Sequence, residues 1–310
     1  MAVTVSPLFS PWGRFGLYSF FIDAEEPAIV DAGVTSTVDG TVAELEKSGR
    51  RIEDVRWILL THGHIDHLGG AYALWELTGR KAKVVIHEAD LDYLRRRRAH
   101  VENYLELRDH YLDNPEAESQ QTGMAEAAIS GEMSADVVLR GGESLSLGGG
   151  VSVSAHSIPG HTAGSVAYVI DGQNDVFVGD AVQIHGAANG FPGYEDPNAY
   201  RSSLECLRDV VRPNRLFLGH PYRNSAGEPY DIGLDAAGAA QAFEESLAIE
   251  ARIREAVGEG FAETSSPYSP FEAVATEIGY SGDPSLEPSP FFTTMDGYRR
   301  LFDGESEGGR

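Results

Sequence analysis

Three histidines and one aspartate fall within six positions of one another, in the run Thr61-His-Gly-His-Ile-Asp-His67. Neutral imidazole and carboxylate are the donors that zinc and similar borderline divalent cations take, so His62, His64, Asp66 and His67 read as metal ligands. The apolar residues 57–60 lead straight into them, and Gly69 and Gly70 follow. A strand that stops at a loop ahead of a helix aims alternate side chains into one space, and glycine lets the backbone turn tightly around it. A solvent-facing polar turn would not gather three imidazoles and a carboxylate directly behind a buried strand.

Three later segments have the same form, an apolar run that ends at a donor: Ile158-Pro-Gly-His161, Val176-Phe-Val-Gly-Asp180 and Leu216-Phe-Leu-Gly-His220. Taken singly, Gly-Asp or Gly-His after a strand is a common turn. Taken with the four-donor run they supply three further ligands from separate strand ends. Cys206 is the single cysteine, which excludes an intrachain disulfide and any Cys-rich metal site and leaves histidine and carboxylate as the ligands.

These donors need elements to hold them. Short apolar runs at 15–22, 28–30, 57–60, 84–86, 151–157, 165–170, 176–178 and 216–218 are bounded by Gly, Asp and Pro and predict strands. Helical periodicity at 38–47, 70–77 and 200–210 predicts helices between them, hence an α/β fold with helices covering the sheets. Residues 88–135 are rich in Glu, Arg and Ala, with Leu91, Leu94, Val101 and Leu105 at helical spacing, and read as a helical insertion. Beyond His220 and a polar turn at 224–227, helices are expected at 235–257, 271–278 and 292–302. The expected organisation is one main domain over 1–232 carrying the insertion, with a helical C-terminal extension over 233–310 packed on it.

With 310 residues the chain can bury one sizeable core. A formal net charge of −24 opposes attraction to phosphate backbones and anionic lipid. Nucleic acid and membrane surfaces are therefore not expected as partners; a small-molecule substrate is, and a homodimer stays open. Only Lys47, Lys81 and Lys83 among the 24 basic residues are lysine, a bias that suits either a high-salt cytoplasm or a GC-rich genome. The apolar stretch 15–22 is interrupted by Tyr18 and Ser19 and is too short to span a bilayer, so a cytoplasmic location is expected.

In order and form, the motifs resemble those of the metallo-β-lactamase superfamily of hydrolases, with Asp31 in Ile29-Val-Asp-Ala-Gly33 matching the first of them. The resemblance covers about residues 15–220 and implies an αββα sandwich. It also implies that His62, His64 and His161 hold one metal ion, that Asp66, His67 and His220 hold a second, that Asp180 bridges both, and that Asp31 supports a ligand from behind. Two divalent ions are implied, zinc first with iron or manganese as alternatives. A water held between two such cations becomes a hydroxide near neutral pH, and the pair can stabilise attacking and departing oxygens. In such a site the hydroxide would attack a carbonyl, and Asp66 would hand a proton to the leaving group.

The resemblance narrows the branch. In the true β-lactamases the bridging carboxylate position is not an aspartate, and in the flavin-partnered di-iron members a glutamate usually stands in place of His64. The RNA-processing branches carry extra motifs and basic surfaces absent from this sequence. Lactonases, glyoxalase II-like thioesterases, and ester or sulfate ester hydrolases remain, so a small ester-like substrate is expected. The alternatives are a single-iron enzyme like the persulfide dioxygenases, a phosphodiesterase, or a non-catalytic binding protein on the same fold.

The Gly-rich stretch 183–197 follows Asp180 and reads as a loop near the metals, with Gln183, His185, Phe191 and Tyr194 as candidate substrate contacts. Tyr194 is the preferred catalytic donor to the substrate carbonyl, and Tyr222 is a further substrate contact. Arg95 to Arg98 read as a solvated helix face paired with nearby acids. His87, His100, His110 and His156 have no companion motif and are assigned core or surface roles. Cys206 and the aromatic group Tyr268, Phe271, Phe291, Phe292 and Tyr298 read as helix packing.

Overall fold

The structure is a computed structural model and describes residues 3–13, 15–183, 190–258, 260–286 and 289–308. Its first half builds a six-stranded sheet in sequential order from β1 (Thr4–Trp12), β2 (Phe15–Asp23), β3 (Ala28–Val30), β4 (Trp57–Leu59), β5 (Lys83–His87) and β6 (Val137–Leu139). The second sheet runs β12 (Gly233–Asp235), β11 (Arg215–Phe217), β10 (Asp175–Phe177), β9 (Val166–Ile170), β8 (Ser152–Ser157) and β7 (Ser144–Ser146).

Side chains alternate across a strand, so each strand feeds two cores. Phe20, Ile22, Val30, Leu59 and Val85 point inward and meet Val153, Tyr168, Phe177 and Phe217 of the other sheet. Their neighbours Phe21, Ile29, Ile58, Val84 and Ile86 face outward under α1 (Val38–Lys47) and α3 (Ala71–Leu77). On the second sheet Ala167, Val169, Val176, Val178 and Leu216 face outward under α7 (Pro197–Cys206) and α8 (Ala236–Val257). Burial on both faces explains why these strands read as continuous apolar runs. The architecture is the expected αββα sandwich.

Between β5 and β6 lie α4 (Leu91–Arg95), α5 (Arg97–Arg108) and α6 (Ala117–Ala128), preceded by the four-residue α2 (Ile65–Leu68) that carries Asp66 and His67. The arginine run is a paired surface: Arg96 bonds Asp92 and Glu102, and Arg98 bonds Glu118. After α8, α9 (Glu272–Ile278) and α10 (Phe291–Gly308) complete the extension, with Phe271, Phe291, Phe292 and Tyr298 buried in the same core as α7 and α8. Residues 233–235, grouped with the extension from the sequence, pair antiparallel with β11 as the last strand of the sheet. Among the described residues no helix is long and apolar enough to cross a membrane.

Candidate metal centre

Four strand ends open on one point. The loop after β4 delivers His62, His64, Asp66 and His67; the turn before β9 delivers His161; the ends of the parallel pair β10 and β11 deliver Asp180 and His220. The donor atoms form groups close enough to share an ion: His62, His64 and His161; Asp66, His67 and His220; and His62, His67 and Asp180.

Hydrogen bonds on the far side of four of the five rings fix which nitrogen faces inward. Asp31 accepts from His67 Nδ1 at 2.8 Å, Gly16 O from His220 Nδ1 at 2.9 Å, and Gly193 O from His161 Nδ1 at 2.6 Å. The Thr61 hydroxyl gives its proton to Asp31 and so accepts from His62 Nδ1 at 3.0 Å. With the proton on Nδ1, each Nε2 turns a lone pair inward. His62 and His161 Nε2 are then 3.2 Å apart, and His67 and His220 Nε2 are 3.4 Å apart.

Two lone pairs at that distance repel unless a cation lies between them. A tetrahedral ion with arms of about 2.0–2.1 Å has ligand–ligand edges of about 3.4 Å, close to both spacings. Asp180 sits between the groups, with oxygens 3.3 Å from His67 Nε2, 3.1 Å from His220 Nε2 and 3.8 Å from His161 Nε2. Its Oδ1 is buried with no hydrogen-bond partner among the described residues. Gly219 keeps this space open: a Cβ there would collide with Asp180 Oδ1 and lie 2.8 Å from His67 Cε1. The donor chemistry, the orphaned oxygen and the missing Cβ all fit divalent metal.

The electrostatics say the same. Burial and neighbouring imidazoles hold His62 and His64 well below the ordinary histidine value, which keeps them neutral and able to ligate. Burial opposes charge on His67 and His220 as well, but there the carboxylates outweigh it: Asp180, Asp31 and Asp66 push His67 well up, and Asp180 with Asp66 pushes His220 up to about 10. This half of the site carries negative charge that calls for a positive partner.

Asp31 has φ +60, a left-handed conformation uncommon for a residue with a side chain. It pins three groups at once, the Thr61 N–H, the Thr61 hydroxyl and His67 Nδ1. Asp90, not singled out in the sequence, does the same for two ligand loops: it accepts from Gly63 N–H, Gly164 N–H and the Thr162 hydroxyl. It stands three residues past strand β5, as His62, Asp180 and His220 stand past β4, β10 and β11, so its signal was the position past a strand end shared by the ligands.

The loop after Asp180 departs from expectation. Gln183 is buried, with its side-chain amide donating to Asp180 O at 2.8 Å and its Oε1 accepting from Gly193 N–H at 3.4 Å, so it braces backbone. Phe191 is fully buried, 5.0 Å from the rings of Tyr280 and Phe291. Tyr194 is corrected as a donor to substrate: it is fully buried, its ring stacks on Tyr200 at 4.2 Å, and its hydroxyl bonds the Tyr298 hydroxyl at 3.0 Å. The apolar C-terminal helices draw both aromatic rings into their own core. His185 lies outside the described residues. Tyr222 is brought to the site: its ring lies 6.1 Å from that of His220, and burial first, then Asp180, pushes its hydroxyl well above the ordinary phenol value.

Residues 12–220 match the family model described as the metallo-beta-lactamase superfamily. The chain belongs to that superfamily, an enzyme family of metal-dependent hydrolases, and carries its candidate His/Asp metal site. A beta-lactamase hydrolase-like protein of Xylella fastidiosa is 29% identical over 201 residues, which are 64% of this chain and 39% of that protein. A cytoplasmic hydroxyacylglutathione hydrolase of Arabidopsis thaliana is 24% identical over 211 residues, 66% of this chain and 64% of its own length. The chain thus spans about two fifths of the first relative and under two thirds of the second. A metallo-beta-lactamase family protein from Thermus thermophilus shares the fold over 97% of this chain and 94% of its own, with TM-score 0.70 and 21% identity.

Proposed function

We propose that this chain is a hydrolase of a small ester-like substrate, a thioester, lactone or ester, acting with two divalent ions, most simply zinc. The carrying observation is the pairing of inward Nε2 lone pairs, His62 with His161 and His67 with His220, on either side of Asp180. The likeness to hydroxyacylglutathione hydrolases supports the thioester among these classes. Ions bound there would supply an acidified water and polarise a carbonyl.

The chain's own residues define the rest. His62, His64 and His161 would hold one ion, and Asp66, His67 and His220 the other, with Asp180 shared. Burial raises the affinity of Asp66 for a proton, but His67 and then His220 outweigh it and hold the carboxyl well below its usual range, so it stands as a carboxylate. Of the seven donor side chains Asp66 is among the most open, at 23% exposure; as a carboxylate it would take a proton from the attacking water and give it to the leaving group. Tyr222 is buried like Tyr194 and its hydroxyl faces Asp180, so this reading gives it no contact with substrate. Partners other than a small molecule are not called for.

The test is a panel of thioesters, lactones, aryl esters, sulfate esters and phosphodiesters run with measured metal content. Two ions per chain and a thioester, lactone or ester turned over, with activity lost in Asp66→Asn, is the expected result. Turnover confined to phosphodiesters, or one iron per chain, would overturn it.

A further inference from the structure

Each ligand histidine with a fixed tautomer depends on an acceptor behind it. Three of these acceptors, Asp31, Gly16 O and Thr61, belong to strands β2 to β4 or the loops that follow them. The fourth is different. His161 donates to the carbonyl of Gly193, in a stretch with no regular element of its own.

Gly193 has no side chain to pack, so its peptide orientation depends on the groups beside it. Both are taken by one hydroxyl: Thr294 Oγ1 accepts from Tyr194 N–H at 3.1 Å and donates to Pro192 O at 2.8 Å. Thr294 is fully buried on α10, beyond the span that matches the family. Pro290, just ahead of α10, closes over Gly193, where an added Cβ would stand 2.7 Å from the proline Cβ. On the other side, Glu195 N–H and Asp196 N–H both bond Gly160 O, next to His161 itself. The loop is therefore clamped between the ligand turn and the C-terminal helix, with the Gly193 carbonyl at the middle of the clamp.

We propose that Thr294 is a positioning residue of the metal centre. Its hydroxyl fixes the two peptides flanking Gly193 so that the carbonyl meets His161 Nδ1 and aims Nε2 at the ion. The inference rests on His161 being a metal ligand. The C-terminal extension is on this account a working part of the metal site.

The experiment compares wild type, Thr294→Val, Thr294→Ser and Tyr298→Phe. Zinc affinity is read by chelator competition, and ligand geometry by the visible absorption of the cobalt-substituted proteins. Valine keeps the branched shape and removes both hydrogen bonds; serine keeps both; Tyr298→Phe removes the neighbouring α10 hydroxyl, with its bonds to Tyr194 and Glu250, and leaves Thr294 in place. Thr294→Val should lose about tenfold in zinc affinity, the lower end for groups behind a ligand because it acts one bond further out, and should change the cobalt spectrum. The other two should match wild type.

An unchanged affinity and spectrum in Thr294→Val would overturn the proposal. A folded Thr294→Ser with the full loss, or an equal loss in Tyr298→Phe, would overturn it as well, and these two arms decide even where valine prevents folding. Wild type that binds no zinc or cobalt overturns the metal-centre reading itself and this inference with it. A wild type that loads metal beside an indifferent Thr294→Val overturns the positioning role alone.

Discussion

At the scale of single residues, the site is governed by what stands behind each ligand. Asp31 combines a left-handed backbone with three hydrogen bonds to Thr61 and His67. Asparagine tolerates that backbone about as well as aspartate does, so Asp31→Asn keeps the backbone while removing the charge and one of the two accepting oxygens. It should keep the fold and lose about 10- to 100-fold in metal affinity, read by chelator competition; an unaltered affinity would show that shape alone suffices. Glu195 offers a pH prediction. Burial, reinforced by Asp90, pushes its carboxyl up to about 7, while Asn103, Arg300 and Arg108 only partly oppose this. A carboxyl raised on folding favours the folded state fully below its unfolded value near 4.5, and that contribution is lost as pH rises through about 7. Glu195→Gln should therefore gain in melting temperature relative to wild type between pH 4.5 and pH 8, and a pH-independent difference would refute it. The seven donors were legible because they stand just past the ends of apolar runs, four of them crowded into one loop, a purely local pattern. The destinations of Phe191 and Tyr194 were not, because a Gly-rich loop does not reveal which distant helix will cover it.

At the scale of elements, most strands lying in well-bounded apolar runs were legible and the rest were not. β1 contains Pro7 and Pro11 and alternates exposed with buried positions, which hides it from a search for apolar runs. It is an edge strand paired on one side with β2, the place where a missing N–H is tolerated. β6, β7 and β12 are three residues each, too short to carry a period, and are defined by their neighbours. The stacked rings of Phe177 and Phe217, 4.8 Å apart on adjacent strands β10 and β11, lie under Asp180 and His220. Phe177→Ala should destabilise by about 3–5 kcal/mol, as core aromatic truncations do, measured by denaturant unfolding. A loss under about 1 kcal/mol, the size of a conservative core swap, would mean that this pair is not the seam of the sandwich.

At the scale of the whole molecule, carboxylates from both halves of the sandwich face one another across the ligands, so the folded state alone assembles the ion site. Anything that binds only the folded state stabilises it, by about 2.7 kcal/mol at a hundredfold excess over the dissociation constant. Chelator-stripped protein should melt lower than zinc-loaded protein, and added zinc should restore the transition; superimposable melts would argue against an ion at this site. The fold class was readable from the order of strands and helices, since burial on both faces writes itself into composition. How the extension meets the site was not, because contacts such as Thr294 to Pro192 join residues 102 positions apart with no local trace.

The hydrogen bond from His220 to Gly16 O and that from His161 to Gly193 O also set an order in time. A nascent chain leaving the ribosome exposes the first of these acceptors early, on a hairpin that forms from adjacent residues. The second acceptor gains its Thr294 clamp only after the last ligand has already emerged. If Thr294 holds Gly193 as proposed, a cation arriving during synthesis would meet His220 with its acceptor in place and His161 with its acceptor still unclamped.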